Sequence, residues 1–102
     1  MLRSAERALT YTRGVSYADF LENQEKIDAV VRNLEVIGEA AGRVPDEIRD
    51  RYSGVPWNTI RAMRNILAHG YYTVDLEIVW GVAQNRLQPL RQQLQEILRR
   101  EP

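Results

Sequence analysis

The feature that most constrains the fold is an apolar stripe with the spacing of an α-helix. Between Gln24 and Gly42, apolar and small residues recur at steps of three and four, which places them on one side of a helix. They are Ile27, Val30, Val31, Leu34, Ile37, Gly38 and Ala41. Gly42 and Pro45 are the usual stop signals. We therefore expect a central core helix over residues 24–42.

The segments on either side of this stripe also have helical patterns. Leu2 to Tyr11 reads as a short helix, and Ser16 with Asp19 resembles a capping box at the start of the next segment. A second short helix is predicted from Pro45 to Tyr52. After a turn at residues 53–56, a second amphipathic stripe predicts a helix that ends close to Gly70. Its apolar positions are Trp57, Ile60, Met63 and Leu67.

The last third of the chain predicts one more helix, which either Asp75 or Thr73 can cap. Its core positions are Leu76, Val79, Trp80, Ala83, Leu87, Leu90, Leu94, Ile97 and Leu98. Pro89 interrupts this pattern and is expected to kink the helix, because proline lacks a backbone donor. No repeat or linker is visible. We expect residues 1–102 to form a single all-α domain, a bundle of four to five helices.

Composition restricts the chemistry of this domain. The absence of cysteine excludes a disulfide framework, a thiolate zinc site and a cysteine nucleophile. The single histidine, His69, cannot form a multi-histidine metal site within one chain, so we predict no metal site. Fourteen basic and fourteen acidic residues give no broad basic surface. No apolar run is long enough to span a bilayer, and a cytoplasmic protein is expected.

Polar residues gather around His69 in a way that the apolar stripe does not explain. Arg64 lies five residues earlier, about 140° away around an ideal helix axis. If the helix ends at His69, the imidazole can turn back toward the guanidinium, and Gly70 favours such an ending. The alternative is a histidine that only complements the helix dipole, with Tyr71 and Tyr72 as packing residues.

The spacing Arg64-x4-His69-x-Tyr71 resembles the signature of the HEPN superfamily, and within it the HepT-like toxins of HepT/MntA toxin–antitoxin pairs. The resemblance covers nearly the whole chain. It includes residues 32–40 on the central helix, Pro56-Trp57 before the motif, and two segments after it, residues 69–71 and 74–80.

This resemblance implies a HEPN-type helical homodimer that acts as a metal-independent ribonuclease on tRNA or mRNA. Its active site would lie at the interface between the two copies. Arg64 would bind the scissile phosphate, and His69 would take a proton from a ribose 2′-hydroxyl or give one to the leaving oxygen. One histidine per chain cannot easily be acid and base at once, whereas a dimer supplies two.

The resemblance also implies regulation by a partner antitoxin, an MntA-like nucleotidyltransferase that transfers AMP to Tyr71. The added phosphate would compete with RNA for Arg64 and His69. ATP and magnesium would belong to the partner, and this chain would need no cofactor. Tyr72 is adjacent to Tyr71 and is the other candidate acceptor.

Three further residues are candidate supporting residues for this site. Arg61 would add positive potential, and Asn65 could donate to RNA or satisfy backbone groups. Glu35, with Glu39 one turn later, is interpreted as an ion-pair partner that could orient Arg61 or Arg64 across the bundle. Two other interpretations stay open: a non-catalytic adaptor for a nucleotidyltransferase that binds nucleotide, and an inert helical dimer.

Overall fold

A computed structural model describes residues 1–69 and 75–101, apart from the side chains of residues 66, 68 and 69. This part of the chain contains seven helices and no strands, so the all-α prediction is confirmed. The helices are α1 (Leu2–Thr12), α2 (Tyr17–Leu21), α3 (Gln24–Gly42), α4 (Asp46–Arg51), α5 (Trp57–His69), α6 (Leu76–Asn85) and α7 (Leu87–Arg100). The count exceeds the expected four to five because the short α2 is separate from α3 and the last predicted helix is divided into α6 and α7.

Helix α3 is the central element, as its apolar stripe predicted. All seven residues of that stripe are buried. α3 packs mainly against α5 on one side and α1 on another. In α1, Ala5 and Ala8 are completely buried, and such small side chains allow a close approach between helices. The core therefore surrounds α3. Helix α5, which carries Arg64 and His69, packs directly against α3.

The predicted interruption of the last helix near Pro89 is confirmed, but the chain forms two helices and not one kinked helix. Arg86 separates α6 from α7; its N–H donates to the Val82 carbonyl at 2.9 Å, and its carbonyl accepts from the Leu90 N–H at 3.2 Å. Pro89 is the third residue of α7, a position whose backbone N–H has no partner within the helix in any case. The proline therefore lies in the first turn of a new helix, where its missing donor costs little.

Helices α2 and α6 are joined by an aromatic cluster. The ring centroid of Trp80 is 5.1 Å from that of Phe20 and 5.7 Å from that of Tyr17, both in tilted arrangements. The hydroxyl of Ser16 accepts a hydrogen bond from the Asp19 backbone N–H at 3.1 Å and caps α2 as expected. This cluster fixes α6 on the bundle and thereby fixes where the chain resumes after the motif.

None of the helices described is both long and apolar enough to cross a membrane.

Candidate functional site

Helix α5 positions the candidate site through its buried stripe. Trp57, Ile60 and Leu67 are buried against the core. The indole Nε1 of Trp57 donates to the backbone oxygen of Tyr52 at 3.1 Å, which anchors the start of the helix. The helix runs from Trp57 to His69. The predicted helix is therefore confirmed from Trp57 to His69, and its predicted end close to Gly70 lies outside the described residues.

Arg64 lies at the contact between α5 and α3, where it is half-buried. Its Cα and Cβ lie over Gly38 of α3, a residue without a side chain. Its Nη1 donates to the side-chain oxygen of the neighbouring Asn65 at 3.3 Å. The base of the Arg64 side chain is thus fixed by helix packing, whereas within the described residues its guanidinium makes one long hydrogen bond to a neutral group.

His69 is the last residue of α5, so its backbone lies about 7.5 Å beyond Arg64 along the helix axis. The predicted roles of the His69 side chain, of Tyr71 and of Tyr72 fall outside the described residues. Of the two predicted catalytic residues, the structure therefore places all of Arg64 and only the backbone of His69. That their two side chains approach each other stays a prediction.

The supporting residues on α5 are exposed. Arg61 and Asn65 both face solvent, one turn apart on the same helix. Arg61 Nε lies beside the end of α3, at 3.6 Å from the position that a Cβ on Gly42 would occupy. Since Gly38 opposes Arg64 and Gly42 opposes Arg61, α3 and α5 run antiparallel. The two arginines therefore lie along one α3–α5 seam and can contribute positive potential to the same surface.

The prediction that Glu35 and Glu39 form ion pairs with arginines is confirmed, but among the described residues the partners are not Arg61 or Arg64. Glu35 Oε2 lies 3.6 Å from Nη1 of Arg32, and Glu39 Oε1 accepts from Nη2 of Arg43 at 3.0 Å. Arg32 lies on α3 and Arg43 is its C-cap, three and four residues from the glutamates, a spacing that brings side chains together on one helix face. On the same helix, the side-chain amide of Asn33 donates to the Ala29 carbonyl at 2.7 Å.

Glu35 and Arg32 line a shallow cleft of about 340 Å³ between α3 and the start of α6. Its other lining residues are Gln24, Ile27, Asp28, Val31 and Leu76. Leu76 is the first residue of α6, so the cleft adjoins the point where the chain resumes after residues 70–74. Among the described residues, no group of three histidine or acidic side chains lies close enough together to hold a metal ion.

Sequence reasoning assigned Gly38 to the apolar stripe and missed its contact with Arg64. The available signal was a glycine at a buried helical position, where a larger apolar residue is usual and where glycine often marks a close backbone approach. The sequence could not name the neighbouring residue, because that depends on how α5 packs.

Comparisons with known proteins agree with this architecture. A family model described as "Ribonuclease HepT-like" matches residues 1–97. "Putative RNase TTE0752" of Caldanaerobacter subterraneus is 37% identical over 101 residues, covering 99% of this chain and 90% of that protein. "Putative RNase MJ1216" of Methanocaldococcus jannaschii is 32% identical, covering 97% and 82%. "Probable ribonuclease HepT" of Thermococcus cleftensis is 30% identical, covering 85% and 79%. No solved structure matches the chain.

Proposed function

Because the chain belongs to the ribonuclease HepT-like family, we propose that it is a ribonuclease toxin whose active site is built from Arg64 and His69 of two copies. The observation that carries the proposal is the placement of both residues on α5, with Arg64 at the packed seam and His69 at the last helical position. The substrate is RNA, of the tRNA or mRNA class.

Arg64 binds and stabilises the scissile phosphate in this proposal. The two glutamates of α3 that could compete for its charge, Glu35 and Glu39, are paired with Arg32 and Arg43. Within the described residues, the Arg64 guanidinium has no carboxylate partner and donates only to Asn65. Among the residues that the structure describes, Asn65 takes up one of its five donors, and arginine can bind a phosphate through two parallel hydrogen bonds.

His69 carries the proton transfers. In one copy, the imidazole takes the proton of a ribose 2′-hydroxyl, whose oxygen attacks the adjacent phosphorus. The bond from phosphorus to the 5′-oxygen breaks, and that oxygen receives a proton from the imidazolium of the second copy. The products are a 2′,3′-cyclic phosphate and a 5′-hydroxyl. A single histidine per chain thus suffices only when two chains share a site.

Tyr71 is the proposed regulatory residue. It follows His69 by two positions, so an AMP group on its hydroxyl would bring a negative phosphate close to the catalytic imidazole. An MntA-like nucleotidyltransferase antitoxin supplies the AMP from ATP with magnesium. The phenol oxygen bonds to the α-phosphorus of ATP, and pyrophosphate leaves. The modified chain then cannot bind RNA productively.

Cleavage of purified tRNA and mRNA in EDTA tests the catalytic proposal. We expect Arg64→Ala and His69→Ala to lower the cleavage rate by about 100-fold or more. Arg43→Ala is the matched control, since it removes an exposed arginine at the C-cap of α3, which pairs with Glu39. Equal cleavage by wild type, Arg64→Ala and His69→Ala would show that the activity comes from elsewhere. A wild type that cuts nothing but accepts AMP would favour the adaptor function.

Dilution tests the requirement for two copies. We expect the activity per chain to fall when the concentration drops below the dimer dissociation constant, which sedimentation measures independently. Constant activity per chain in a range where sedimentation shows only monomer would contradict a shared site.

Mass spectrometry tests the regulatory proposal. Incubation with the cognate nucleotidyltransferase, ATP and magnesium should add AMP to wild type and to Tyr72→Phe, and none to Tyr71→Phe. Modified wild type should lose RNA cleavage in proportion to its AMP content. Modification that persists in Tyr71→Phe and disappears in Tyr72→Phe would move the acceptor by one residue.

A further inference from the structure

Gly38 lies where helices α3 and α5 approach most closely at the candidate site. A Cβ atom built on Gly38 would lie 2.2 Å from the Arg64 Cβ, 3.1 Å from the Arg64 Cα and 3.0 Å from the Ile60 backbone oxygen. Non-bonded carbon atoms pack at about 3.5–4.0 Å. The seam therefore has no room for any side chain at position 38.

The need for glycine here arises from space and not from backbone conformation. Gly38 lies within α3 and has no positive φ angle, so alanine would be favoured by helix propensity alone. Gly81, inside α6, differs in this respect, because a Cβ built there meets no atom within 4 Å. Of these two helical glycines, only Gly38 allows a contact that a larger residue would prevent.

We propose that Gly38 is a positioning residue for Arg64, an inference that rests on the proposed ribonuclease function. Its contacts are with the Cα and Cβ of Arg64, so it determines where this side chain leaves the helix. A continuous helix joins Arg64 to His69, and a shift of α5 at Arg64 therefore moves the His69 backbone as well. Gly38 sets the distance of both residues from α3 without touching RNA.

Alanine at position 38 should displace Arg64 by more than 1 Å, since the 2.2 Å separation has to increase to at least 3.4 Å. Displacements of this size in an active site reduce rates by on the order of 100-fold. We expect Gly38→Ala to lower kcat/KM for RNA cleavage by about 10- to 100-fold. The matched control, Gly81→Ala, should cleave RNA at the wild-type rate.

A stability measurement tests the contact independently of any activity. Gly38→Ala is introduced into Arg64→Ala, which keeps the Cβ at position 64, and into Arg64→Gly, which removes it. We expect Gly38→Ala to lower the melting temperature by roughly 5–15 °C in the first background and by clearly less in the second. If Gly38→Ala alone fails to fold, recovery of folding in the double variant with Arg64→Gly would equally show that the two positions are in contact. Equal losses in both backgrounds would refute the contact.

Binding of a 2′-O-methyl RNA separates positioning from a general loss of structure. This RNA has no reactive 2′-hydroxyl, so weak variants remain measurable. Gly38→Ala should weaken binding clearly more in the wild-type background than in Arg64→Ala, where the guanidinium that it positions is already absent. Equal weakening in both backgrounds would overturn the inference and leave the ribonuclease proposal intact. Wild-type cleavage and binding by Arg64→Ala would instead overturn the proposed function, and with it the role of Gly38.

Discussion

The first turn of α6 should depend on the carboxylate of Asp75. This side chain accepts hydrogen bonds from the backbone N–H groups of Glu77 at 2.9 Å and Ile78 at 3.4 Å. Only the first has good geometry, so Asp75→Ala loses about one capping interaction, worth about 1 kcal/mol. It also removes a negative charge from a helix N-terminus, worth about 0.5 kcal/mol. The total is about 1.5 kcal/mol.

Thermal unfolding at a fixed protein concentration measures this loss. For a domain of about 100 residues, 1 kcal/mol corresponds to at least 4 °C, so Asp75→Ala should melt roughly 6 °C or more below wild type. Asp75→Asn keeps the acceptor and loses only the charge, and should melt about 2–4 °C below wild type.

Asp50→Ala is the control for charge alone. Asp50 is exposed near the C-terminal end of α4, where a negative charge opposes the helix dipole, so its removal should not lower the melting temperature. A melting temperature of Asp75→Ala within 1 °C of wild type would refute the capping argument. A loss in Asp75→Asn as large as in Asp75→Ala would assign the effect to charge and not to the hydrogen bond.

Three further predictions concern the core and the C-terminus. Trp80→Ala, which removes a partly buried ring packed on Phe20, should lower the free energy of unfolding in urea by about 2–3 kcal/mol, and Trp80→Phe by less. Leu34→Ala, at a completely buried position of α3, should cost about 2–5 kcal/mol in the same assay, and a loss below 1 kcal/mol would contradict its central place. Burial and the hydrogen bond to Glu101 raise the pKa of the Tyr52 phenol above its usual value near 10. The folded state therefore holds this proton more tightly, and the stabilisation present below pH 10 is lost as the pH rises further. The melting temperature of wild type should fall more steeply above pH 10 than that of Tyr52→Phe, and parallel curves would contradict the shifted pKa.

The candidate site was only partly predictable from the sequence. His69 could be selected because few groups in a chain with one histidine and no cysteine can transfer protons near neutral pH. Arg64 could be selected because it precedes His69 by five residues, the spacing that resembles the HEPN signature. The partner of Glu35 could not be selected, because Arg32 on the same helix and Arg61 or Arg64 on another helix are equally plausible from spacing. In the structure Glu35 pairs with Arg32, because the two side chains lie three residues apart on one face of α3.

The sequence by itself determined the helices and most of their buried faces. The stripe of α3 and the caps at Ser16 and Asp75 follow from periodicity and from local side-chain hydrogen bonds, which involve residues only a few positions apart. The sequence indicated an interruption near Pro89 but not its form, because a kink within one helix and the first turn of a new helix both accommodate a residue without a backbone N–H.

Only the tertiary structure determined how closely α5 packs against α3. Residues 38 and 64 are far apart in the chain, and nothing local indicates that the Arg64 backbone needs a glycine beneath it. That relation arises when two helices are packed to the density of a protein interior, where the separation of their axes depends on the side chains at the crossing. Periodicity shows which faces meet, and packing determines how close the candidate phosphate-binding arginine comes to the core.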